Sequence, residues 1–128
     1  MIYEALSEIL VSEVPELVIG NTLFVNQAPH DSSFCAIFRD NPAGIDIDGY
    51  LMSERSGSFQ FVVRGKSQAE ISQVMEDAVK ALTIYNTREG VYLIKSCRPT
   101  IEALSYQLSV ANLREISVNF SINYGIVQ

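Results

Sequence analysis

The chain of 128 residues is 48% hydrophobic, which gives one ordinary domain enough apolar side chains for a real core. Nine Lys and Arg against fifteen Asp and Glu leave a net charge of −6, a balance that opposes tight, nonspecific binding to a phosphate backbone and argues against nucleic acid as a ligand. The longest apolar stretches fall far short of the ~20 residues that cross a bilayer, and the N-terminus lacks the basic start and apolar run of a signal peptide, so a soluble protein made in the cytoplasm, without a membrane partner, is expected.

The charge is unevenly spread. Residues 1–38 contain Glu4, Glu8, Glu13, Glu16 and Asp31 but no Lys or Arg. An acidic, solvated helix face accounts for this, and a surface that meets a basic partner is the other reading. In the same region Ile2, Ala5, Leu6, Ile9 and Leu10 recur at helical spacing with Glu4 and Glu8 outside the stripe, and Pro15 stops the pattern near Val14. Gly20 and Asn21 form a turn, residues 22–26 read as a short strand, and residues 33–39 read as a buried strand from their aromatic and β-branched content.

Residues 40–49 contain Asn-Pro, Ala-Gly and Asp-Gly, turn chemistry dense enough to predict a long exposed loop. Asp46-Ile47-Asp48-Gly49 lacks the third acidic ligand and the closing glutamate of a helix-loop-helix calcium site, so no metal is expected there. Residues 50–54 are expected to pair with residues 58–64 across an Arg55-Ser56-Gly57 turn. The loop is nevertheless more apolar than a solvated loop requires. Ile45, Ile47, Tyr50, Leu51 and Met52, with Arg55 beside them, are therefore the candidate interface residues, covered either by a neighbouring molecule or by their own sheet.

The strongest local signals lie in residues 58–82. Phe59, Phe61 and Val63 alternate with Gln60, Val62 and Arg64, and after Gly65-Lys66 the Ser67-x-x-Glu70 capping box opens a helix. Ile71, Val74, Met75, Ala78, Val79 and Leu82 share one face of it, and Glu76 precedes Lys80 by four residues on the other. Residues 85–90 read as a polar connection, 91–96 as a strand closed by Arg98-Pro99, and 104–110 as an extended segment or a helical turn. Residues 115–124 alternate without fault, Ile116, Val118, Phe120, Ile122 and Tyr124 against Ser117, Asn119, Ser121 and Asn123, which suits a sheet with one open face.

Candidate chemistry is sparse. Cys35 and Cys97 lie in apolar settings without C-x-x-C spacing and read as reduced core residues. His30, the one histidine, sits in a turn-like run and carries no motif. No catalytic residue, cofactor or metal site is expected, and the composition and periodicity give an α+β fold: a mixed, mainly antiparallel β-sheet with two main helices packed on one face, in a single domain.

The order of features in residues 23–84 resembles the tail-terminator and minor capsid proteins of long-tailed bacteriophages, also called tail-completion or tail-to-head joining proteins. The matching stretch is an apolar strand with a turn (residues 34–41), a Gly- and Asp-rich loop (43–49), then Phe59-Gln60-Phe61-Val62-Val63-Arg64-Gly65-Lys66-Ser67 and its amphipathic helix. The closing run Ile116-Ser117-Val118-Asn119-Phe120-Ser121-Ile122 is similar to the last strand of those proteins, and together these cover about half to two thirds of the chain. The resemblance implies a homo-hexameric ring at the head-proximal end of a virion tail, assembled in the host cytoplasm. Such a ring caps the tail tube, ends its polymerisation and offers a surface to the head completion or connector protein. DNA passes through it without specific binding, and the partners are the tail tube protein and the connector. Read from chemistry alone, a small-molecule-binding regulatory or enzymatic α+β domain of ferredoxin-like type remains open. Native mass separates the two.

Overall fold

The computed structural model describes residues 1–29, 32–51, 53–107 and 112–127, with the side chains at 43, 106 and 107 left aside. His30 and Met52 fall outside the described residues. The elements run α1 (Ile2–Glu13), β1 (Leu23–Val25), β2 (Phe34–Ile47), β3 (Glu54–Gly65), α2 (Gln68–Leu82), β4 (Ile84–Glu89), β5 (Tyr92–Pro99), β6 (Leu104–Gln107) and β7 (Arg114–Ile126). The seven strands form one sheet in the order β1-β2-β3-β7-β5-β4, with β6 also paired to β7. Only β1 and β2 run parallel, and every other pairing is antiparallel.

Both helices form where the apolar spacing places them. Ile2, Ala5, Leu6 and Leu10 of the α1 stripe are buried and Ile9 is half-buried, and Val14 before Pro15 adopts the extended backbone that a following proline imposes. Ser67 is the N-cap of α2, its side-chain oxygen accepting the Glu70 amide at 3.3 Å, and Ile71, Val74, Met75, Ala78 and Leu82 are buried. The exposed Glu76–Lys80 pair at 3.5 Å adds about 0.3 kcal/mol. Gly65 lets α2 pack close to the sheet, since a Cβ there would stand 2.5 Å from Ile71 Cγ2.

One large core lies between the helices and the sheet. Its centre is aromatic: Phe59 and Phe120, direct partners on β3 and β7, stack with centroids 5.2 Å apart, and Phe38 meets its partner Phe61 at 4.9 Å. Tyr3 of α1 packs on Phe38 and Phe59 and donates its hydroxyl to Asp40 Oδ1 at 2.7 Å, tying the first helix to the sheet. The other side of the sheet is polar across β3, β7 and β5 but not entirely open. Cys35, Ile37 and Val62 form a small second cluster under Phe24 and Ala28, and Glu115 and Ser117 are buried beside it.

Three expectations are corrected. Residues 40–47 are not loop: β2 continues to Ile47, and the turn residues build a bulge in which five steps on β2, from Asp40 to Ile45, face two on β3, from Phe59 to Gly57. Proline is tolerated at position 42 because β1 covers only Ala36–Phe38, so the outer edge of β2 beyond them needs no donor. Gly44 supplies a φ of +73° at the bulge. Second, Arg55-Ser56-Gly57 is not a turn but part of the continuous strand β3, paired with β2 on one side and β7 on the other. Third, residues 85–90 are not a connection; β4 occupies Ile84–Glu89 as an edge strand whose polar side chains are wet on both faces, and the turn comes at Gly90, with φ +60°. The extended reading of residues 104–110 is met by β6 over Leu104–Gln107, and the rest of it lies outside the described residues.

Candidate functional site

The candidate interface residues gather at one end of the sheet, where β2 passes into β3. Asp48 organises that turn: its Oδ1 accepts the amides of Tyr50 and Leu51, each at 2.8 Å, and its own amide donates to the Glu54 carbonyl at 3.0 Å. Those two amides hold the Asp48 carboxyl below the usual carboxylate range, the Leu51 bond contributing most. The Glu54 amide donates back to the Leu51 carbonyl at 2.8 Å, and the Ile126 amide to the Ser53 carbonyl at 2.9 Å, so the turn is tied to the last strand. Lys95 Nζ pairs with Glu54 Oε2 at 2.7 Å, reaching across Gly125 of β7.

On this frame the candidates separate. Tyr50 is 98% exposed, Leu51 60% and Ile47 58%, three large apolar groups at one turn. Ile45, by contrast, is half-buried and packs on the main core, so its apolarity is explained within the subunit. Arg55 is half-buried opposite Ile47 and Tyr124, and its charge partly offsets the rise that burial imposes on the Tyr124 hydroxyl. Met52 lies outside the described residues. Sequence reading missed Val91, half exposed at the same end, where its carbonyl accepts the Val127 amide. Its signal was the Gly90-Val91 pair, hidden by reading the flanking strand as a connection.

Nucleophile chemistry finds no purchase on the thiols. Burial pushes the Cys97 thiol up to about 12, and it also raises Cys35, although Arg64 and other groups act in the opposite direction. Among the described residues no group of three or more His, Cys, Asp or Glu is placed to hold a metal ion. Among the described residues no helix is long and apolar enough to cross a membrane.

Two of the concavities bear on function. An open, mainly apolar groove of about 650 Å³ runs between α2 and residues 99–103, floored by Ile116 and Val118 and flanked by Met75, Val79 and Ile101. It lies near the start of β7, seven residues and about 24 Å from the Tyr50 turn at the strand's far end. On the polar side of the sheet, Asn26, Gln27, Ile37, Arg39 and Arg64 line a second concavity of about 430 Å³. Arg64 there pairs with buried Glu115, Nε and Nη2 each 2.9 Å from Oε2.

No family model matches the chain, and no curated protein matches it in sequence. Among solved structures it is similar to a chain of the "Virion of native gene transfer agent (GTA) particle", with a TM-score of 0.65 and 12% identity over 96% of each chain. The likeness spans both helices and the sheet together, so the whole α+β architecture is shared.

Proposed function

We propose that the chain is a structural, non-enzymatic component of a phage-like virion. The observation that carries this is the fold shared with the gene transfer agent particle chain, end to end on both sides. Within that class the proposed role is the tail terminator: a homo-hexameric ring at the head-proximal end of the tail that caps the tail tube protein, ends its polymerisation and presents the surface met by the head completion or connector protein. DNA passes through such a ring without specific binding, consistent with a net charge of −6. The turn bearing Ile47, Tyr50 and Leu51 is the proposed contact with a neighbouring subunit or the tail tube. Large apolar groups held rigidly in water favour burial by another molecule.

The groove beside α2 is the feature that most favours a small-molecule domain instead. The element order, with α1 ahead of three strands and four more after α2, is not the βαββαβ order of a ferredoxin-like domain. Native mass of the pure protein, alone and with tail tubes, tests the proposal together with electron microscopy of particles made without it. A discrete ring and tails of uncontrolled length are expected. Tails of normal length that still join heads would remove the terminator role, and a monomer that takes up a small ligand in the groove would favour the rival.

A further inference from the structure

The two sides of the molecule carry opposite charge. Glu4, Glu8, Glu13 and Glu16 are all exposed on or just after α1, and α2 adds Glu70, Glu76 and Asp77 against Lys80. The strand register places Arg39, Arg64, Arg88 and Arg98 on the opposite, polar side of the sheet, with Lys95 reaching Glu54 there. Two ion pairs, Arg64–Glu115 and Lys95–Glu54, are internal. Once they are set aside, Arg39, Arg88 and Arg98 stand against Asp46 among the described residues. Between them the surface is a ladder of uncharged hydrogen-bonding groups: Ser58 opposite Ser121, Gln60 opposite Asn119, and Ser56 opposite Asn123.

The polar side also contains a built recess. Arg39 and Arg64 rise on either side of Ile37, with Gln27 at the margin, and the recess they line holds about 430 Å³. No carboxylate among the described residues pairs with Arg39. Arg64 is already held by Glu115, so Arg39 is the cation the recess offers, and a guanidinium beside the Gln27 side chain recognises a planar anion such as a carboxylate. The chain's own helix layer cannot supply that group, because it lies on the far side of the same sheet.

We infer that the polar side of the sheet seats the acidic helix layer of a second copy of this chain, one of whose exposed glutamates enters the recess between Arg39 and Arg64. The inference rests on the ring reading above and deepens it. The two surfaces differ, so the contact is head-to-tail, and a head-to-tail contact that closes generates a ring. Charge complementarity of this kind fixes register and speeds encounter. A nucleic acid is the lesser fit, since the same chain brings a strongly acidic layer to every polyanion it meets.

Charge reversal on each surface tests this by sedimentation, with circular dichroism confirming the fold. Arg39→Glu with Arg98→Glu reverses the sheet side, and Glu8→Arg with Glu13→Arg reverses the helix side. Each double variant is expected to lose assembly at least tenfold while melting as the wild type does. A mixture of the two is expected to regain assembly as alternating copies, because the two unchanged surfaces still meet and the two reversed surfaces complement one another. The chain carrying all four changes is expected to regain assembly. If the wild type assembles and neither reversal weakens it, this interface is overturned while the ring stands. If the wild type is monomeric with and without tail tubes, the ring reading itself has failed. Duplex DNA retained by the wild type and released by the sheet-side variant, with assembly unchanged, would assign the surface to a polyanion and overturn the proposal.

Discussion

Asp48 is the residue on which the candidate interface turns. It is fully exposed, and its role is to hold two backbone amides, not to fill space. Because those bonds favour the ionised carboxyl, its ordering effect is complete above the ordinary carboxylate range and fades as the pH falls through its lowered folded value. Amide resonances of Tyr50 and Leu51 are therefore expected to stay fixed from neutral pH down past the usual aspartate midpoint and to shift together below it. Asp48→Ala removes that step, and a Tyr50 amide that titrates in the alanine variant as before would disprove the assignment. Tyr50 and Leu51 lie beyond the packing of the core, so Tyr50→Ser with Leu51→Ser is expected to change stability by no more than about 0.5 kcal/mol per site. If this turn meets a neighbour, the same change weakens association at least tenfold, about 1.4 kcal/mol. Sedimentation and thermal melting, run side by side, read the two effects separately.

At the scale of elements, α2 shows which of its apolar positions matter. Sequence periodicity puts Val74 and Val79 on one face, but Val74 is 3% exposed in the main core while Val79 is half-buried along the groove. Val74→Asp places an unpaired carboxylate against the sheet and is expected to cost about 3 kcal/mol or more, enough to prevent folding of a marginal domain. Val79→Asp leaves that carboxylate within reach of water and is expected to cost about 1 kcal/mol. Equal melting temperatures for the two variants would show that the helix is rotated from the position described. The helix was legible because its signals agreed: Ser67 and Glu70 at its start and a complete apolar stripe after them. The strand β7 was legible for the same reason, alternating from Ile116 to Tyr124. The segment from Asp40 to Gly57 was not, because Pro42, Gly44 and Gly57 carry turn chemistry inside paired strands. Gly57 has no side chain because its partner strand bulges into the space: a Cβ there would stand 2.9 Å from both Gly44 O and Ile45 Cα. Likewise β4 was hidden by its polarity, since an edge strand wet on both faces shows no alternation. The apolar surplus of residues 45–52 was visible in sequence, but only the structure divides it between Ile45, which packs inward, and Ile47, Tyr50 and Leu51, which do not.

For the molecule as a whole, the order of strands decides how the candidate interface is held. The last strand in sequence, β7, is central in the sheet, with β3 along one side and β5 and β6 along the other. A hairpin as long as β2–β3 would ordinarily project as a mobile arm. Here every residue of β3 from Glu54 to Gly65 has a partner on β7, and the Glu54–Lys95 pair adds a link to β5 across it. The turn therefore cannot move without disturbing strands that carry Phe59 and Phe120 in the core. A contact surface presented this way loses little conformational entropy on binding, which favours a tight fit to a neighbour of fixed shape. Hydrogen exchange is expected to reflect that coupling: amides of β3 from Ser56 to Ser58 should be protected to within about 1 kcal/mol of those at Phe59 and Phe61, opening only with the sheet. Amides at Gly49 and Tyr50, beyond the last pairing, should exchange much faster. If residues 54–58 exchanged as quickly as the turn while the rest of β3 stayed protected, the interface would be a flexible arm, and rigid presentation would be wrong even with the fold intact.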